Sequence, residues 1–169
     1  QVGVSSKNGT FINKPIKLQG LANIFWVSPY GLKIEKGGMF VNAKNLNFST
    51  ANSLSFSDNI FDVFKNNKYH LKDFSSEPGF NNKPNSKKNN LNLPNVEISD
   101  TNIVVDEKLY IHSPNGSVHI DNSKLKTSAK NNGEITITGE SVFLTGNSHL
   151  ISMGKDFGGL IQIGGSWQN

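Results

Sequence analysis

The sequence predicts an all-β chain: a right-handed parallel β-helix with about three short strands per coil and an insertion outside the helix. Three observations carry this. Short apolar-x-apolar segments recur at offsets of 22 to 26 residues along the 169-residue chain. They alternate at period two and are too short for helices, which is the strand signature. Glycine or asparagine falls between them, at Gly116, Asn122, Gly133, Gly139, Gly146, Gly159 and Gly164-Gly165.

From the N-terminus, Ile16-x-Leu18, Leu32-x-Ile34, Leu46-x-Phe48 and Leu54-x-Phe56 read as coil strands. Leu54 follows Leu32 by 22 residues and is expected to stack on it in the next coil. Ile24-Phe25-Trp26-Val27 is a continuous apolar run. It reads as a strand covered on both faces, with a hairpin or an N-terminal cap packed over it. Residues 57–95 break the pattern. Their first part, with Phe61, Phe64, Tyr69, Phe74 and Phe80, is expected to pack on the outside of the solenoid. Asn81 to Asn92 reads as a mobile loop. Insertions between coils map to one face, so the five aromatics are candidate binding residues.

Residues 96–165 are the regular part. Val96-x-Ile98 recurs as Val118-x-Ile120 and Val142-x-Leu144. Thr101-x-Ile103 recurs as Ser123-x-Leu125 and Ser148-x-Leu150, and Leu109-x-Ile111 as Ile135-x-Ile137 and Ile161-x-Ile163. Coils stacked ~4.8 Å apart place equivalent apolar residues above one another. One coil cannot bury its own face, but a stack can. Burial then contributes on the order of 10 kcal/mol per coil before chain entropy is subtracted. The whole chain, 1–169, reads as a single domain.

Composition narrows the function classes. All 17 basic residues are lysine, and the net charge is +4. Without arginine the chain lacks the planar forks that read bases and clamp phosphates, so nucleic acid is not an expected partner. There is no cysteine, which removes disulfides and thiolate metal sites. No apolar run is long enough to span a membrane as a helix. Gln1-Val2-Gly3-Val4 has neither the basic nor the apolar region of a signal peptide.

The segment Ala22-Asn23-Ile24-Phe25-Trp26-Val27-Ser28-Pro29-Tyr30-Gly31-Leu32 resembles the signature of the filamentous-haemagglutinin family. The likeness continues through Lys36-Gly37-Gly38, Val41-Asn42 and Ser49-Thr50-Ala51-Asn52-Ser53-Leu54-Ser55-Phe56, and more loosely in Gly158 to Gln168. It implies a secreted, cell-surface exoprotein of a two-partner-secretion system, acting as a scaffold or adhesin. Its N-terminal region would contact the outer-membrane transporter, through Asn23, Ser28, Pro29, Tyr30 and Gly31. The family's Asn-Pro-Asn-Gly stands here as Ser28-Pro29-Tyr30-Gly31. The same turn chemistry, proline then glycine, recurs as Ser113-Pro114-Asn115-Gly116.

Chemistry is sparse. Asp100 and Asp121 read as equivalent positions one coil apart, the one candidate carboxylate pair for a β-helix polysaccharide enzyme or a cation. His70, His112, His119 and His149 show no metal-ligand spacing, and the last three are expected to face outward. No nucleophile elbow or phosphate loop is present. The expectation is therefore a non-enzymatic chain without cofactor or metal. Its partners are the transporter, a surface glycan or protein receptor, and further copies through uncapped coil ends. The alternatives are a fibre subunit built by end-to-end stacking and, more remotely, a polysaccharide-active enzyme.

Overall fold

A computed structural model describes residues 1–56, 59–65, 94–128, 132–155 and 158–164. Fourteen strands and no helix occur among them. They build a parallel β-solenoid of about 5 turns. Three faces stack through the coils.

The first face joins β2 (Thr10–Ile12), β4 (Leu32–Ile34), β8 (Val96–Ser99) and the C-terminal ends of β10 (Lys108–Asp121) and β12 (Glu134–Thr145). The second begins with the N-terminal parts of β3 (Pro15–Val27) and β5 (Met39–Ser49). It continues through β9 (Asn102–Val105), β11 (Lys124–Thr127) and β13 (His149–Ile151). The Asp106 N–H ties β9 to β5 by donating to the Ala43 carbonyl at 3.0 Å. The third face stacks β1 (Val2–Gly3), the C-terminal part of β3, the C-terminal part of β5, the N-terminal halves of β10 and β12, and β14 (Leu160–Gly164). The long strands are long because they turn a corner. Register shifts between Ser113 and Ser117, and between Lys17 and Ala22, mark where they bend.

The repeats predicted from sequence are the ladders observed. Val96, Val118 and Val142 are successive partners, as are Ile103, Leu125 and Leu150, and Leu109, Ile135 and Ile161. Their side chains fill one continuous core, with Leu46, Phe48, Leu109, Ile111, Ile120 and Leu125 essentially inaccessible. Toward the N-terminal end this interior becomes aromatic. Trp26 meets Phe40 edge-on at 6.4 Å between ring centres, and Phe40 lies 5.3 Å from Phe48.

One strand departs from its expected place. Leu54-x-Phe56 is not a coil strand: the partner of Leu32 in the next coil is Val96. Leu54 instead lies in β6 (Ser53–Phe56), which pairs antiparallel with β7 (Asn59–Asp62). Period-two alternation cannot distinguish a coil strand from a hairpin strand. Both have one apolar face to bury, and here that face is buried on the outside of the solenoid.

Candidate functional site

The excursion leaves and rejoins the helix at the corner between the third and first faces. This corner occurs after every coil, so its chemistry can be compared level by level. After the first coil it is Ser28-Pro29-Tyr30-Gly31. Ser28 is fully buried, and its hydroxyl donates to the Gly31 carbonyl at 2.6 Å while accepting from the Thr10 hydroxyl at 3.0 Å. Thr10 in turn accepts from the Trp26 indole N–H at 3.0 Å. The result is a relay, Trp26 to Thr10 to Ser28 to Gly31, in which each buried polar group has a partner. Gly31 has φ +108, and a Cβ there would stand 3.3 Å from the Asn95 carbonyl, so the position suits glycine.

The same relay recurs two coils on and holds the excursion. Thr50 and Ser113 are 63 residues apart in the chain, yet their hydroxyls are 3.1 Å apart and buried. The Ser113 hydroxyl donates to the Pro94 carbonyl at 2.7 Å. A hydroxyl has one proton, so Thr50 is the donor to Ser113. Thr50 is the last residue before the excursion, and Pro94 is the first described residue after it. Ser113 thus joins both feet. Asn95 completes the return: its carbonyl accepts from the Leu32 N–H at 2.9 Å and its side chain from the Ser117 N–H at 2.9 Å.

Above the feet, the β6–β7 hairpin folds back over the outside of the third face. Phe25 and Val27 point outward there, and Leu54, Phe61 and Val63 cover them in a second apolar cluster. Val27 is fully buried as a result, though it faces away from the main core. The run Ile24 to Val27 is therefore covered on both sides, as its lack of alternation predicts. Phe61 also reaches the N-terminal rung, where a Cβ on Gly3 would meet its ring at 2.9 Å. Phe64 meets Tyr30 edge-on at 6.0 Å between ring centres, and both rings remain exposed.

The structure brings Tyr30, Phe61 and Phe64 together at this corner, beside Ser28, Pro29 and Gly31. Asn23 lies at another corner, exposed, where its side-chain oxygen accepts from the Asn45 amide at 3.0 Å. Tyr69, Phe74, Phe80, His70 and the Asn81 to Asn92 stretch lie outside the described residues. Thr50, Ser113 and Asn95 are the residues that sequence reasoning missed. The recurrence of Ser-Pro-x-Gly marked the corner, but only the fold shows that the two serines share one hydrogen-bond design.

The carboxylate pair is not formed. The expected equivalence of Asp100 and Asp121 is off by one residue: Asp121 is the partner of Ser99. Asp100 accepts from the Asn122 amide at 2.6 Å, and Asp121 from the Thr145 hydroxyl at 2.6 Å. Among the described residues no group of three or more metal-ligating side chains occurs. His119 stacks on Phe143 at 4.6 Å, and His149 is exposed. His112 faces outward but is largely covered. Its ring nitrogen is 2.6 Å from the Thr138 hydroxyl, and burial pushes its pKa down to about 4.

Comparison with known proteins adds no relative: no protein family, curated protein or solved structure matches the chain.

Proposed function

We propose that this chain is a surface scaffold, a segment of a bacterial exoprotein exported by the two-partner route, which presents its excursion to a receptor. The observation that carries the display reading is the pair of feet bonded to Ser113. The coils keep their register on either side of the insertion, so the helix supplies rigidity and the excursion supplies variation. The reading also rests on the resemblance at Ala22 to Leu32. That segment forms an outer rung and corner in which Asn23 and Tyr30 are exposed and available to a transporter.

The test is export from cells carrying the parent exoprotein, with and without a two-partner-type outer-membrane transporter. Export should require the transporter and weaken in Asn23→Ala and Tyr30→Ala. Undiminished export without the transporter contradicts the reading.

A second reading, a fibre subunit, draws on the last coil. Leu144, Ile161 and Ile163 occupy inward ladder positions yet are 44%, 41% and 47% exposed. Parallel rungs with free edges can accept further strands. Electron microscopy of concentrated protein separates the two readings: filaments support assembly, and monodisperse short rods oppose it.

A further inference from the structure

The corner between the first and second faces carries a different set of side chains. Here the backbone turns through left-handed residues: Asp100 at φ 50, Asn122 at φ 45 and Gly146 at φ 61. Buried hydroxyls fix the levels to one another. Thr101 donates its hydroxyl to the Gly38 carbonyl, and the Thr101 N–H donates to the Ser123 hydroxyl at 3.2 Å. The Ser123 N–H donates to the Ser148 hydroxyl at 3.3 Å. The corner is therefore preorganised across four successive coils.

Over it lies an open hollow of about 610 Å³ with an entirely polar lining. Lys36 comes from the second coil, Asp100 and Asn102 from the third, Asn122 and Lys124 from the fourth, and Asn147 from the fifth. Lys36 and Lys124 have no carboxylate partner among the described residues. The amides of Asn102 and Asn147 are exposed and make no side-chain hydrogen bond among the described residues. The hollow runs along the helix axis for roughly 14 Å, three strand spacings.

We propose that this groove binds a linear, carboxylate-bearing oligosaccharide. Two ammonium groups suit the carboxylates of uronic-acid rings. Each primary amide offers a donor and an acceptor to neighbouring hydroxyls, and the oxygen of Asp100 not held by Asn122 accepts another. A groove parallel to the stack fits an extended chain better than a compact molecule. An acidic peptide fits less well, because no apolar pocket lines the groove and the strands beneath are already paired on both sides. Nucleic acid is disfavoured by the lack of arginine and of stacking aromatics in the lining. This assignment goes beyond the display role of the excursion and does not depend on it.

The experiment is calorimetric titration of the full chain with tetragalacturonate, with neutral maltotetraose and with tetraglutamate. Tetragalacturonate should bind, and more weakly as salt is raised. Lys36→Gln combined with Lys124→Gln should reduce its affinity at least about tenfold, the loss of roughly 1.4 kcal/mol. Asn102→Ala combined with Asn147→Ala should also weaken it, while Lys17→Gln with Lys126→Gln, outside the groove, should not. All six side chains are at the surface, and unchanged circular dichroism confirms that the variants fold. The proposal is overturned if tetragalacturonate fails to bind, if the groove variants bind as the parent does, or if tetraglutamate binds as tightly.

Discussion

Ser113→Ala removes one hydroxyl and separates the two feet of the excursion. In the native chain that hydroxyl donates to the Pro94 carbonyl at 2.7 Å and accepts from Thr50 at 3.1 Å. Thr50 is only 2% exposed, so its hydroxyl would lose its partner with little access to water. A buried orphan of this kind costs about 1–3 kcal/mol. Pro94 is half-buried, and water can reach its carbonyl, so that side loses about 0.5–1.5 kcal/mol. The expected destabilisation is about 2–4 kcal/mol, far above a neutral surface serine-to-alanine change. Urea denaturation followed by circular dichroism reads it as a lower midpoint at similar slope. Thr50→Val supplies the control, because it removes the donor that Ser113→Ala would strand. The double variant should be less destabilised than the sum of the singles by about 1–2 kcal/mol. If Ser113→Ala costs less than about 0.5 kcal/mol, or the two changes simply add, the hydroxyl does not join the feet.

Two further perturbations address the same region. His112 has its pKa lowered to about 4 from the ordinary 6.5 by burial. Between those values the unfolded chain takes up a proton that the native chain refuses. Stability should therefore be full above pH 6.5, fall as pH drops towards 4 and level off below it, by up to about 3 kcal/mol. His112→Gln should flatten that segment of a denaturation-versus-pH curve, and an unchanged curve would assign the acid sensitivity elsewhere. Val27→Asp places a carboxylate beneath the hairpin but outside the main core. It should release β6–β7 to limited proteolysis while the ladders of β10 and β12 persist, and a hairpin that stays resistant would contradict the outside packing.

Much of the solenoid was legible because its physics is repetitive. Val96, Val118 and Val142 must stack if the coils are to bury anything, and the 22- to 26-residue spacing records that demand. The continuous run Ile24 to Val27 foretold an outer cover for the same reason, since its odd and even side chains both need burial. Other features were not legible. Leu54 stands 22 residues after Leu32, but its alternation serves a hairpin that folds back over Val27. The one-residue offset of Asp121 arises because corners differ in length from level to level, as at the shift between Ser113 and Ser117, which pattern alone does not count. The fastening of the feet joins Thr50 to Ser113 across 63 residues and becomes visible only when the coils are stacked. The polar groove draws one or two side chains from each of four coils, so no local motif announces it.

The central claim is that a self-sufficient β-solenoid carries the excursion as an inserted module. The corner at Ser113 shows how such a corner closes without one: Pro114-Asn115-Gly116-Ser117 separate Ser113 from Val118. Thr50 and Val96 occupy the matching places, so residues 51–95 can be replaced by Pro-Asn-Gly-Ser. Exposing Phe25 and Val27 costs about 3–6 kcal/mol. The shorter connection recovers about 2 kcal/mol of closure entropy. Amide hydrogen exchange on this shortened chain is the direct measurement. The account predicts that Leu109–Ile111, Val118–Ile120 and Ile135–Ile137 stay protected, with new exchange confined to the outer rung at Phe25–Val27. Loss of protection throughout the coils would mean that the excursion is part of the fold rather than its cargo.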